Sequence, residues 1–288
     1  MTKSNQIGTL YIVATPIGNL ADISYRAVEV LQQVDLIVVE DTRHSAKLFQ
    51  HYNITPPGYV LHDHNERENS AKLVEKLIQG ADLALISDAG TPLISDPGYW
   101  LVNLAIQNSI KVAPIPGPSA SISALSVSGL PSDRFCFEGF LPAKSLARQK
   151  RLEKLASEPR TLIFYEAPHR ILDTLKDMVA VFGADRPGVI TRELTKTFET
   201  ILRANLAELL AAVESDPNQQ KGEFVVLVHG KEEAEAMNQG EQDDLLKLLL
   251  TELSVKTAAT LASKITGVKK NRLYERALEL KNTPNKSQ

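Results

Sequence analysis

The residues best suited to chemistry lie in the run 87–98, SDAGTPLISDPG. The apolar run Leu83-Ala84-Leu85-Ile86 before it has the length of a buried strand, and residues 98–107 continue with helical spacing. A strand ending in a carboxylate and a glycine is where an open α/β sheet takes a ligand, because free backbone N–H groups and space meet at its carboxyl edge. Asp88 offers an acceptor for a hydroxyl or amine, Gly90 lets main chain approach a ligand without a Cβ, and Pro92 and Pro97 stiffen the loop. One such loop is equally an ordinary turn. Repetition separates the two: TPIGN follows a run at 10–13, EDTR one at 36–39, and PIPGPSA one at 110–113. Four loops of this kind at one sheet edge form a pocket.

The elements that must position these loops appear as an alternation. Short β-rich runs at 10–13, 36–39, 59–62, 83–86 and 111–114 are separated by amphipathic helical patterns at 24–33, 44–51, 70–79 and 98–107. That rhythm predicts a mostly parallel sheet covered on both faces. A small-residue helix stopped by Gly129-Leu130-Pro131 marks a junction. A second α/β unit follows, with strands expected at 135–140, 161–165, 188–192, 199–201 and 223–228 and helices at 145–156, 170–182 and 206–214. Its strand ends carry Glu166 and His169 at one point and Arg192, Glu193 and Lys196 at another. Residues 231–244, KEEAEAMNQGEQDD, read as a solvated acidic linker. Within 245–280, helices at 257–264 and 270–280 around a glycine-containing turn have helix-turn-helix proportions. The expected class is α/β: two α/β domains at 1–121 and 122–231 with a cleft between them, a linker at 232–244, and a small helical domain at 245–288.

Composition and missing motifs narrow the function. With 43% hydrophobic and 23% charged residues in 288, the chain reads as folded rather than disordered. It shows no basic-then-apolar leader and no apolar run near the roughly 20 residues a bilayer requires, so a cytoplasmic protein without membrane contact is expected. A lone Cys136 makes no internal disulfide and reads as a small core residue. There is no G-x-x-x-x-G-K-[ST], and TPIGNL does not fit G-x-G-x-x-G, so the pocket lacks a phosphate anchor. His62 and His64 lie two apart, with Asp63 pointing oppositely and no third ligand at suggestive spacing, so no metal is expected.

Taken together, TPIGNL (15–20), EDTR (40–43), HDHNE (62–66), SDAGTPLISDPG (87–98), PGPSA with SGLPSDRF, FYEAPHR (164–170) and RELTKTFE (192–199) resemble the tetrapyrrole-methylase-like class of S-adenosylmethionine-dependent methyltransferases. Within it they are similar to the bacterial branch that 2′-O-methylates a cytidine of small-subunit (16S) rRNA, whose members also carry a C-terminal helix-turn-helix. The resemblance implies S-adenosylmethionine bound in the cleft, a homodimer, and 16S rRNA or the small ribosomal subunit as partner. Position by position it implies cofactor contacts from Pro16, Asp88, Ala89, Gly90, Ser119 and Ala120, with Tyr165 and Glu166 closing from the second domain. Transfer to a ribose hydroxyl requires an aligned oxygen and removal of its proton. Asp41, His64, Glu66, Glu166, Glu193 and Lys196 are the candidates to take it, and the sequence does not choose among them. Arg43, Arg170 and Arg192 suit phosphates, since a guanidinium fork matches phosphate oxygens. Each also reads as half of a structural ion pair, as Glu193 does with Lys196.

Charge favours RNA as the substrate. From Leu245 onward nine lysines and arginines face three acids, a surplus of +6, which leaves −9 on residues 1–244 of a chain whose net charge is −3. Lys269, Lys270 and Arg272 open the expected recognition helix, and Lys144, Arg148, Lys150, Arg151 and Lys154 make the helix at 145–156 basic. Backbone phosphates demand localised positive charge and a small ring does not. Two other readings remain: a C-methyltransferase acting on a tetrapyrrole such as a precorrin or uroporphyrinogen, and a non-catalytic RNA-binding protein on the same scaffold.

Overall fold

A computed structural model of the chain describes residues 7–62, 64–232 and 237–282. Asp63, residues 233–236 of the expected linker and residues 283–288 of the tail lie outside the described residues. The chain separates into two compact units, Met1–Gly230 and Lys231–Gln288.

In the first half of the larger unit, β1 (Thr9–Val13), β2 (Leu36–Val39), β3 (Gly58–Val60), β4 (Leu83–Leu85) and β5 (Lys111–Ile115) form an all-parallel sheet ordered β3-β2-β4-β1-β5. Helices α1 (Tyr25–Gln33), α2 (Thr42–His51), α3 (Glu66–Ile78) and α4 (Tyr99–Gln107) connect them. The central strands read as unbroken apolar runs because both faces are covered: Leu73, Leu77 and Leu101 pack on one, Ala27, Leu31 and Leu48 on the other.

Local capping explains where the elements depart from expectation. Helix α2 starts two residues before the expected residue 44 because the Asp41 side chain accepts the Arg43 N–H, an N-cap bond. Strand β3 stops short of residue 62 and α3 begins at 66 rather than 70. There Asn65 accepts the His62 N–H at 2.9 Å and donates to the Val60 carbonyl, which closes a turn where extension was expected. Glu66, a proton-acceptor candidate on sequence, is buried and accepts the N–H groups of Gly98 (2.9 Å) and Trp100 (2.7 Å). It therefore caps α4 from another helix. Gly98 has φ +128°, and a Cβ there would lie 2.6 Å from Leu85 Cδ2, so only glycine lets the loop turn into α4 at this point.

The second half begins with α5 (Ala120–Ser128), ended by Gly129 in the left-handed region, φ +77°. The expected domain boundary at 121/122 falls within its first turn. Its sheet comprises β6 (Phe135–Phe140), β7 (Thr161–Glu166), β8 (Pro187–Arg192), β9 (Thr200–Asn205) and β10 (Phe224–Val228), in the order β6-β7-β10-β8-β9. Only β6 and β7 run parallel; β10 is antiparallel to both neighbours. On one face α5 packs Ala124 and Leu125 against Ile163 and Val225. On the other lie α6 (Ser145–Leu155), α7 (Ile171–Phe182) and α8 (Leu206–Ser215). Helix α6 is not uniformly solvated as its basic composition implied. Arg148 is 3% exposed and bonds Asp177 (Nε to Oδ2, 2.6 Å), which also accepts from Ser145 and Gln149.

The smaller unit contains α9 (Gln239–Glu252), α10 (Val255–Thr266) and α11 (Lys270–Asn282) around Leu246, Ala259, Ala262, Leu273 and Ala277. Residues 239–244 belong to α9 and not to a linker. The acidic run contains a capping box, Asn238 accepting the Glu241 N–H while Glu241 accepts the Asn238 N–H. Asp243 takes Arg276 of α11 through two bonds of 2.7 and 2.6 Å. Gly267, φ +71°, ends α10 and permits the tight turn into α11.

Glu66→Ala would strand two N–H donors at the start of α4. It should lower the free energy of unfolding by about 2–4 kcal/mol in urea titrations, and a change below about 0.5 kcal/mol would contradict the capping role.

Candidate active site

The loops at the carboxyl edge of the first sheet are bonded to one another. Thr15 and Gly90 exchange both backbone hydrogen bonds, Thr15 N–H to Gly90 O at 2.8 Å and Gly90 N–H to Thr15 O at 3.0 Å. Gly90 achieves this at φ +80°, and a Cβ there would press on Ile17 Cγ2 at 3.3 Å. Thr15 Oγ1 donates to the Ser87 carbonyl and Thr91 Oγ1 to the Pro118 carbonyl, tying the first, fourth and fifth strand ends together. Leu93 and Ser95 sit at φ +71° and +73°, strained for residues with a Cβ. In the second half, the Tyr165 hydroxyl accepts the Ser121 N–H at 3.3 Å, which fastens α5 to β7.

Between the two sheets lies a cavity of about 370 Å³. The first half and the loop leading into α5 supply Ile17, the Asp88-Ala89-Gly90 turn, Ser119 and Ala120; the second sheet and its loops supply Phe140, Tyr165, Leu194 and the start of β10. Phe137 and Phe140 meet the Tyr165 ring edge-on, at 4.8 and 5.7 Å between centroids. Among the described residues the wall contains four carboxylates, Asp88, Asp96, Glu166 and Glu223, and no lysine, arginine or histidine. Such a wall suits a ligand with positive charge and flat apolar surface and repels one with phosphates.

Asp88, Glu166 and Glu223 are each held differently. Asp88 accepts the Asp41 N–H at 3.2 Å and faces His44 Nδ1 at 2.5 Å, and that hydrogen bond raises the His44 pKa above its ordinary value. Glu166 is buried and committed to the Ala167 N–H (2.7 Å), Thr174 Oγ1 (2.5 Å) and the Arg170 guanidinium (3.2 Å). Glu223 reaches Lys196 Nζ at 2.9 Å, and the same ammonium lies 2.8 Å from Glu193. Burial alone would depress the Lys196 pKa; hydrogen bonds to Glu193 and Glu223 outweigh it and hold the ammonium protonated. The Lys196 stem crosses to the first half, where a Cβ on Gly18 would sit 2.5 Å from its Cγ.

Residues 9–210 match the tetrapyrrole (corrin/porphyrin) methylases. The chain belongs to the tetrapyrrole methylase family. Methyl transfer from S-adenosylmethionine is the chemistry of this family, and the acidic, phosphate-free wall fits a sulfonium donor. Residues 236–281 match the RsmI C-terminal HTH domain. The chain is similar to two proteins named ribosomal RNA small subunit methyltransferase I. The one from Escherichia coli O157:H7 is 56% identical over 278 residues, covering 96% of this chain and 97% of that one. The one from Pseudomonas aeruginosa is 58% identical over 274 residues, covering 94% and 97%. Among solved structures, a diphthine synthase aligns with a TM-score of 0.61 at 18% identity, covering 78% of this chain and 90% of that one, a likeness of fold.

Within the tetrapyrrole methylase cavity, Asp88, Ala89, Gly90, Ser119, Ala120, Tyr165 and Glu166 all line the wall. Pro16 does not; its neighbour Ile17 does, because Thr15 is pinned to Gly90. Asp41 lies outside the wall, caps α2 and is paired to Arg43, a hydrogen bond that holds its carboxyl far below the carboxylate range and makes it a weak base. His64 is exposed outside the wall with its ring edge-on to His62. Arg170 and Arg192, expected to meet phosphates, are turned inward. Arg170 serves Glu166 and the Leu141 carbonyl, and Arg192 holds the carbonyls of Lys221 and Phe198. Arg43, Lys269, Lys270 and Arg272 are exposed. Sequence reasoning missed His44, although it stands one turn into the helix that Asp41 caps, and it missed Glu223 and Phe140. Among the described residues no group of three His, Cys, Asp or Glu side chains converges as a metal site, and no helix is long and apolar enough to cross a membrane.

His44 should titrate above its ordinary 6.5 in NMR spectra, and Asp88→Asn should bring it back. With the folded pKa raised, the pair's contribution to stability is present at low pH and is lost as pH rises through that pKa. A His44 titration unchanged by the substitution would contradict the contact.

Proposed function

We propose that this chain transfers a methyl group from S-adenosylmethionine to the 2′-hydroxyl of a cytidine ribose in 16S rRNA, free or within the small ribosomal subunit, in the cytoplasm and as a homodimer. One observation carries the reading: the likeness to proteins named for small-subunit rRNA methylation extends through the helix-turn-helix unit as well as the catalytic body. A tetrapyrrole C-methyltransferase accounts for the cavity but leaves the exposed Lys269, Lys270 and Arg272 at the start of α11 without a purpose. A non-catalytic RNA-binding protein would have no use for a four-carboxylate cavity.

The donor supplies a methyl carbon already activated by its sulfonium. Asp88 favours that positive charge, Gly90 admits close approach of the main chain, and Tyr165 closes the second wall. Ser119 and Ala120 add the first turn of α5, while Pro16 acts only through the loop it shares with Ile17. Proton removal is assigned to the Glu193–Lys196–Glu223 group. Lys196 is already charged between two carboxylates, so it orients and Glu223 accepts. Of this group only Glu223 lines the wall, with Lys196 and Glu193 behind it; Glu166 is spent on Arg170, and Asp41 and His64 lie outside the wall with no such link to it, so none of the three is assigned the proton. Arg43 and the α11 cluster are assigned to phosphates; Arg170 and Arg192 are not.

Asp88→Ala should abolish the calorimetric heat of S-adenosylmethionine binding with an unchanged circular dichroism spectrum, and retained affinity would reject its role. Incubated with methyl-labelled donor, the wild-type chain should label 16S rRNA, and nuclease digestion should release the label as 2′-O-methylcytidine. Label on the base, or on a tetrapyrrole and not on RNA, would overturn the proposal.

A further inference from the structure

The ammonium groups of helix α6 are not all used by the fold. Its two arginines are: Arg148 is buried against Asp177, and Arg151 pairs with Glu138. Its lysines are different. Lys144, which caps the helix in extended conformation, and Lys150 and Lys154, one helical turn apart, are exposed. None of the three ammonium groups makes an ion pair or hydrogen bond with a described residue, whereas Lys72 and Lys176 on other helices are paired to Glu68 and Glu214. Glu153 is the one carboxylate of α6, so the exposed, unpaired groups carry a surplus of two positive charges on a unit that is acidic overall.

The position of this face makes it more than a solvated surface. Strand β6 ends at Phe140, which is 54% exposed and forms part of the cavity wall. Lys144 follows four residues later, a reach of at most about 14 Å. The connection is rigid: Arg170 donates to the Leu141 carbonyl and Arg148 to the Ala143 carbonyl at 3.2 Å, so two guanidinium groups fix how α6 leaves the rim. From Lys144 to Lys154 the helix adds about 15 Å of axis. An exposed aromatic ring on the cavity wall, followed by Lys144 at the helix start and by Lys150 and Lys154 on one face beyond it, is an arrangement that can guide a single strand by base stacking and phosphate contact.

We infer that α6 is an RNA-backbone site: the strand flanking the target nucleotide lies along Lys144, Lys150 and Lys154 and enters the cavity past Phe140. The inference rests on the rRNA-methylating function proposed above and adds to it a contact on the catalytic body itself, separate from the helix-turn-helix unit.

The test is the affinity of the full chain for 16S rRNA as a function of salt, for the wild type and for K144Q/K150Q/K154Q. The triple variant should bind about tenfold or more weakly near 50 mM salt, and the slope of log K against log salt should become shallower by about 2, at roughly 0.7 per phosphate contact on a single strand. Its S-adenosylmethionine affinity should not change. K72Q/K176Q, which removes two lysines already paired, should keep the wild-type slope and thereby separate a local site from a change in net charge. A triple variant with wild-type affinity and slope would overturn the inference while leaving the function intact. A wild-type chain that fails to bind 16S rRNA would sink both.

Discussion

The reciprocal hydrogen bonds between Thr15 and Gly90 are the constraint on which the site depends. They join the ends of β1 and β4, adjacent parallel strands whose loops would otherwise diverge. The geometry requires a left-handed residue at position 90, and the nearby Ile17 side chain leaves little room for a Cβ. Once that bridge forms, Asp88 is presented on a fixed turn, the loop after β5 is drawn in through Thr91 and Pro118, and Ile17 becomes wall while Pro16 does not. The strained Leu93 and Ser95 lie just beyond the bridge. Backbone strain of this kind persists only where neighbouring contacts hold it, here at the rim of a binding cavity.

The parallel half of the fold was legible in the sequence because its signals are local. Apolar runs bounded by Gly, Pro and Asp gave strands and their connecting loops in the right order, and Asp88 and Gly90, which line the cavity, could be picked out because ligands gather at the ends of parallel strands, whereas Ser119 came from the family resemblance. The second half follows another rule. Strand β10 runs antiparallel to β7 and β8, so its beginning, not its end, shares an edge with Tyr165 and Thr191. That is why Glu223 and Val225 reach the cavity unannounced. Strand direction is a long-range property that periodicity does not encode.

Charged residues were the hardest to assign, since a side chain's partner is set by packing. Glu66, Arg148, Arg170 and Arg192 have the composition of an active site or an RNA surface and instead hold the molecule together. Glu66 caps a helix, Arg148 anchors α6 on α7, and the other two fasten loops by binding carbonyls. The acidic run before α9 hid a capping box for the same reason. What remains after this sorting is a division of labour: carboxylates line the cavity, where a positive donor is favoured, and unpaired basic groups stand outside it on α6 and α11, where phosphates are favoured. Full-length likeness to the rRNA methyltransferases fits that division.

The position of the methyl donor is decisive. A crystal structure of the chain grown with S-adenosylhomocysteine tests this most directly. The product should occupy the cavity between the two sheets, against the Asp88-Ala89-Gly90 turn on one side and Tyr165 on the other. Density elsewhere on the surface, or an empty cavity at saturating ligand, would contradict it.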